Sequence, residues 1–217
     1  MQRKIITLAL ALLTVVFSST AVRAAEVDLL NKIGHKIEQY AVIRAEFTQT
    51  KQMQTLKRPL ITTGKLTYSR SHGVLWQILQ PYNISYVLGE DKIIEIDANG
   101  LRKERSFRDV PGLAQVGRVF RAILGANASA LHATFEVTAQ GDTEKWKLAL
   151  IPRQQQLLKS LSLIELSGGQ FVETIIITEA SGDTATLRFR KTLGATDLVD
   201  TELQLFSTPT ASLKTIP

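Results

Sequence analysis

Chemistry in a 217-residue chain needs nucleophiles, bases or ligands at usable spacing, and this sequence supplies few. Its histidines are His35, His72 and His132, read as lying on a helix, in a turn and at a helix end. None falls in an H-x-x-x-H-type ligand pattern, and there is no cysteine to add a thiolate, so no metal is expected. No G-x-S-x-G elbow is present, which leaves no catalytic nucleophile to point to. Carboxylates are scattered and form no recognisable acid–base pair. No cofactor motif is found either. Asn83-Ile84-Ser85 and Asn127-Ala128-Ser129 fit the glycosylation sequon, a pattern too short to carry weight.

Two charged or glycine-rich runs remain. Leu166-Ser167-Gly168-Gly169-Gln170 matches the signature of ABC-transporter ATPases letter for letter, yet the chain has no G-x-x-x-x-G-K-[ST] phosphate loop. The five residues join two alternating apolar runs, so Ser-Gly-Gly is read as a hairpin turn. Arg102, Lys103, Arg105, Arg108, Arg118 and Arg121 form a basic cluster. It is read as a solvated face, with contact to an anionic partner or membrane surface as the functional alternative.

The elements that must position any site follow from periodicity. Leu30, Ile33, Ile37 and Tyr40 recur at helical steps after Asp28. The period then changes to two in Leu66–Arg70, Val74–Ile78, Ile84–Leu88 and Ile94–Ile96, with Ser71-His72-Gly73 as one of the turns. Asp109-Val110-Pro111 opens a helical stretch through Leu113, Val116, Val119, Phe120, Ile123 and Leu124, stopped at Gly125. A short helix is expected over Ala128–Ala133. Strands resume at Thr134–Ala139, Lys145–Ile151, Leu161–Leu166, Val172–Thr178 and Thr184–Arg190, with a last one near Leu203–Ser207. The pattern is one large curved antiparallel sheet with a few helices, an α+β fold.

Even-numbered positions Leu66, Tyr68, Trp76, Ile78, Tyr86, Leu88, Ile94 and Ile96 would share one face of that sheet. By the same parity Arg70 would face inward with Trp76. A buried cation must be paired or hydrogen-bonded. A sheet curved around an apolar cavity, with the central helix as a cover that Arg70 holds by its backbone carbonyls, accounts for both.

Composition bounds the setting. Residues 1–24 carry a basic start (Arg3, Lys4), an apolar run over Ile5–Val16 and small residues at Val22 and Ala24, the pattern of a secretory signal peptide. An uncleaved anchor is the alternative; the run is short for a membrane span. The mature chain, 25–217, is expected to be a single domain outside the cytoplasm. The formal net charge is +6, and removal of Arg3, Lys4 and Arg23 leaves about +3, too mild to indicate nucleic acid.

Phe47-Thr48-Gln49, Gly64-x-Leu66, the gapless spacing Leu66–Arg70–Trp76–Pro81, the central helical insertion and the closing Phe206-Ser207-x-Pro209 together resemble the LolA family of periplasmic lipoprotein carriers. The resemblance covers the whole mature chain. It implies an incomplete antiparallel β-barrel under a helical lid and no catalytic activity. It also implies carriage of acylated lipoprotein or lipid cargo from an inner-membrane exporter to an outer-membrane acceptor, by a monomer. By position, Arg70 matches the family's lid-closing arginine, Trp76 a cavity tryptophan, and Phe120, Ile123 and Leu124 the lid's apolar residues. The sequence departs from the family at Ser71, where proline is frequent, and at Val74, where an aromatic is usual. The stretch 105–117 resembles a divergent branch whose cargo could be a glycolipid. The competing readings are a hydrolase of envelope lipids or glycans, which needs a polar cluster in the cavity, and a lipid sensor.

Overall fold

The computed structural model describes residues 26–89, 92–106 and 128–207. Helix α1 runs over residues 26–38. Its stripe of Leu30, Ile33 and Ile37 is buried, as the three- and four-residue spacing requires. On its outer side Asp28 and Lys32, one turn apart, pair at 2.6 Å.

Six strands follow: β1 (Val42–Gln52), β2 (Leu60–Ser69), β3 (Gly73–Gln80), β4 (Ile84–Leu88), β5 (Ile93–Ile96) and β6 (Arg102–Arg105). After α2 (Ala128–Thr134) come β7 (Phe135–Gly141) and β8 (Trp146–Pro152), the short α3 (Gln155–Leu158), and β9 (Leu161–Gly168), β10 (Val172–Glu179) and β11 (Thr184–Ala195). Helix α4 (Asp200–Phe206) closes the described chain. The strands form a single sheet in the order β6-β5-β4-β3-β2-β1-β11-β10-β9-β8-β7, antiparallel throughout. Two meanders are thus joined where β1 pairs β11, and the sheet curves without closing, its edges being β6 and β7. A bulge between Arg44 and Glu46 interrupts the central pairing. Opposite it Lys191 adopts φ 52, and such bulges bend a strand and sharpen its twist.

The concave face carries one apolar cluster, in which residues from β1–β5 and β7–β11 meet α1. The opposite face is split. Over β7–β11 it is largely polar, whereas over β3–β5 Leu75, Val87, Ile94 and Ile96 form a second cluster with Phe206 of α4. Helix α4 is fixed at both ends. Arg44 reaches Glu202 with Nε at 2.7 Å and Nη2 at 2.6 Å, and Thr67 Oγ1 donates to the same carboxylate at 3.1 Å. Glu202 also accepts the Val199 N–H at 3.0 Å, one half of a capping box. At the other end Arg102 donates to the carbonyls of Gln204, Leu205 and Ser207, which the helix itself leaves without partners.

Four expectations change. The segment near Leu203–Ser207 is helix, because its apolar residues dock on a ready-made sheet face instead of joining a ladder. Strand β1, the centre of the sheet, has no clean alternation and was not expected as a strand. Arg102–Arg105, read as part of a basic cluster and not as a strand, forms the edge strand β6. Finally, Ile94 and Ile96 face away from Trp76. Leu66 pairs Trp76 and Trp76 pairs Tyr86, which preserves parity; Leu88 pairs Ile93, which reverses it. The helical stretch from Asp109 to Gly125 lies outside the described residues.

Candidate functional site

The inner wall grows from strand alternation. Leu66 and Tyr68 of β2, Trp76 and Ile78 of β3 and Leu88 of β4 are all buried in the concave cluster, and the half-buried Tyr86 packs on it. These are six of the residues the sequence singles out, and the fold brings them together. Phe120, Ile123 and Leu124 fall outside the described residues. Phe47 of β1 lies against Trp76 with ring centroids 4.1 Å apart. Gly64 permits this: a Cβ there would come within 2.8 Å of the Phe47 ring and 1.9 Å of the Gln77 carbonyl oxygen. Sequence reasoning also missed the other half of the wall, including Trp146, Leu148, Leu150, Ile164, Leu166 and Ile175. Their alternation was visible; what was not visible is that β1–β11 pairing turns both meanders toward one helix.

Helix α1 fills much of that space. Between β1, β2, β11 and Phe171 a pocket lined by Ile43, Ala45, Leu66, Val172, Phe189 and Thr192 keeps about 20 Å³, room for about one water. Two larger hollows, about 370 and 280 Å³, lie on the opposite face and are lined mainly by polar residues such as Gln140, Lys147 and Glu165, or Lys65, Arg188 and Arg190. The concave face, by contrast, is apolar across ten strands.

The charged margin of the concave face is paired. Arg105 of β6 holds Glu95 of β5 through two contacts at 3.1 and 3.2 Å, beside Tyr86. Burial first, then the Glu95 and Tyr82 charges, push the Tyr86 phenol above its ordinary value, with Arg105 opposing, so it is protonated at neutral pH. Across the sheet burial would raise Glu202, but hydrogen bonds from Arg44, the Val199 N–H and Thr67 outweigh it and hold the carboxyl below the usual range. No group of three or more metal-ligating side chains occurs among the described residues.

Arg70 sits where β2 has already ended. The alternation that would aim it at Trp76 stops at Ser69, and Arg70 is an exposed turn residue. Its guanidinium donates to the carbonyl of Glu38 and, at 3.3 Å, to that of Tyr40, while its own N–H reaches Ala41 O at 3.0 Å. The backbone carbonyls it bonds lie at the C-terminal end of α1, whereas the expected partner was the central helix, which lies outside the described residues. His72, in the same turn, takes its ring contacts from Ser69 and Ser71 and stacks near Phe206.

The Leu166–Gln170 run is the β9–β10 hairpin, with Gly168 paired to Val172. Gln170 donates to the Tyr40 hydroxyl at 2.8 Å, and Phe171 packs on the Tyr40 ring at 5.3 Å. The fully buried Trp146 donates its Nε1–H to Gly169 O at 2.7 Å, which fixes the turn from beneath.

Comparison with known proteins adds the lineage. Among solved structures, MucB superposes with a TM-score of 0.51 at 14% identity, covering 83% of this chain and 62% of that one. The MucA/MucB complex of Pseudomonas aeruginosa gives 0.46 at 13% identity, covering 83% and 60%. A LolA superfamily protein of Nitrosomonas europaea gives 0.46 at 9% identity, covering 82% and 96%. The chain thus spans less than two thirds of MucB, and at these identities the likeness speaks for the fold alone. A sequence search of curated proteins finds no match. The sequence profile described as outer membrane lipoprotein carrier protein LolA-like matches residues 20–193, most of the chain, and the protein belongs to that LolA-like family.

Proposed function

We propose that this protein is a non-enzymatic periplasmic carrier that shields acyl chains of lipoproteins or lipids against the concave face of its sheet and moves them from an inner-membrane exporter to an outer-membrane acceptor. The observation that carries this reading is the continuous apolar face with Phe47, Leu66 and Trp76 at its centre, packed against helix α1 and Leu131 of α2 rather than against a second sheet. Membership of the LolA-like family supports it. Residues 1–24 would direct export and be cleaved, leaving 25–217 as one domain; no described helix is long and apolar enough to cross a membrane.

The energetics suit a shuttle. Each acyl CH₂ buried contributes about 0.8 kcal/mol, so a whole chain in an open, pre-formed cavity would bind too tightly to be handed on. A cavity that must first be vacated subtracts that cost from the affinity. In this chain α1 occupies the wall, and Arg70 holds its end. Arg70 then acts as a latch on α1; the cover expected from the sequence was the central helix, which lies outside the described residues.

Native mass spectrometry of the protein taken from the periplasm of its own host tests the reading. Co-purifying acylated species released on unfolding are the expected result and identify the cargo. A uniformly empty protein that also fails to accept a lipopeptide from a donor would overturn it.

A further inference from the structure

The end of the sheet opposite the α1 terminus carries an unusual surface. Leu56, Leu60, Ile61, Leu79 and Tyr82 are each between 44% and 57% exposed. Leu56 lies in the β1–β2 loop and Tyr82 in the β3–β4 turn, while Leu60 and Ile61 begin β2 and Leu79 lies near the end of β3. The register that sets Thr63 opposite Gln80 brings the start of β2 beside that turn. Leu60 and Ile61, adjacent in β2, point to opposite faces of the sheet, so the five apolar side chains ring this end of the sheet from both sides.

Its charge is one-sided. Lys57 and Arg58 lie between Leu56 and Leu60, and the run Met53–Ile61 contains no carboxylate. Neither cation has an ion-pair or hydrogen-bond partner among the described residues. The acidic groups nearest along the strands are engaged elsewhere: Glu179 pairs Lys51 at 2.9 Å, and Asp183 accepts the Gln54 N–H at 2.9 Å. That second bond also ties the loop to the β10–β11 turn, so the loop is held rather than free.

We infer that this rim is a docking surface for an anionic lipid bilayer, with the Leu and Ile side chains entering the headgroup boundary, Tyr82 at the interface and Lys57 and Arg58 on lipid phosphates. Charge complementarity selects this occupant. Apolar residues interleaved with unpaired cations and an aromatic suit a surface that is apolar below and negative above. An acidic protein partner would match the cations but would also have to cover apolar side chains that point to both faces of the sheet end. The surface is independent of what the concave face holds; only the presence of a membrane nearby rests on the periplasmic reading.

The test uses the periplasmically purified protein and sedimentation with vesicles of mixed phosphatidylglycerol and phosphatidylcholine. Trp76 and Trp146 are both buried, so Tyr82→Trp supplies the one exposed indole as a reporter. Expected are co-sedimentation that weakens with salt, a blue shift of the Tyr82→Trp emission, and about thirtyfold weaker partitioning for the Lys57→Ala/Arg58→Ala variant. These exposed positions leave folding intact, which circular dichroism verifies. Equal binding to pure phosphatidylcholine, an unshifted emission, or full binding by the double variant would overturn the inference. So would sedimentation without vesicles, which would assign the rim to contacts between copies of the chain. Cargo content is read separately, so failure here leaves the carrier reading standing, and the reverse.

Discussion

At the end of the sheet where α1 terminates, three hairpin turns each lay a side chain or a carbonyl on the helix. Arg70 comes from β2–β3, Gln170 from β9–β10, and the β7–β8 turn offers Thr143 O and Glu144 to Lys36. At the far end the β1–β2 loop and the β3–β4 turn lay nothing on a helix and leave apolar groups in solvent. The same antiparallel sheet thus has one end that is polar and closed and another that is apolar and open. Of these contacts, Arg70 reaches carbonyls that α1 cannot satisfy itself and so adds order where a helix is weakest. The open end gains nothing from folding, which is the expected property of a surface kept for something else.

The largest break in this contrast comes from beneath the closed end. Trp146→Ala removes a fully buried indole and its bond to Gly169 O, and should cost about 3–5 kcal/mol. Chemical denaturation measures it; a loss under about 1 kcal/mol would mean that the turn is held by something other than Trp146.

How far the sequence reveals these ends depends on periodicity. Helix α1 and the strands with Leu66, Trp76 and Tyr86 were legible because their apolar spacing persists over several residues. Strand β1 was not, since Val42 and Ile43 are both buried although adjacent in sequence. Its later residues are mostly polar and half-exposed. Strand β6 carries only charge, Arg-Lys-Glu-Arg, and is a strand because β5 offers it an edge. Helix α4 is seven residues, too short for periodicity to separate helix from strand. The site was legible as a wall but not as a chamber, because the β1–β11 junction is a long-range pairing with no local signature. Arg70 was expected to face inward and hold the carbonyls of the central helix; alternation was carried one residue past the strand, and the carbonyls it reaches among the described residues are those at the end of α1.

Helix α4 docks on the outer face and is tied to the closed end through Arg44 and Thr67, so its pH response probes that end. Glu202 has a depressed pKa when folded. Its contribution is therefore complete above the ordinary glutamate value, about 4.3, and is lost as pH falls through the lower folded value. Glu202→Gln should cost about 2 kcal/mol at neutral pH and remove that acid-dependent part, since it weakens charged hydrogen bonds from Arg44. Denaturation at neutral and acidic pH checks this; an unchanged acid dependence would exclude Glu202 as its source.

Arg70→Leu opens the closed end from outside. The arginine is exposed, so the expected stability loss is about 1 kcal/mol, with faster amide exchange confined to the last turn of α1. As a latch, its loss should also change cargo retention in a lipid-transfer assay beyond what that small destabilisation explains. Unchanged retention with faster exchange would reduce Arg70 to a helix cap.

The smallest effect is expected at the open end, where it is also the most diagnostic. Ile61→Ser replaces an exposed residue whose backbone pairs Thr50 in the β1–β2 ladder and whose side chain meets solvent. Stability should move by no more than about 0.5 kcal/mol. Isoleucine's strand preference is the only folding gain expected at a side chain that meets solvent. A clear destabilisation on denaturation would mean that Ile61 is packed after all, and the two ends would then differ in degree rather than in kind.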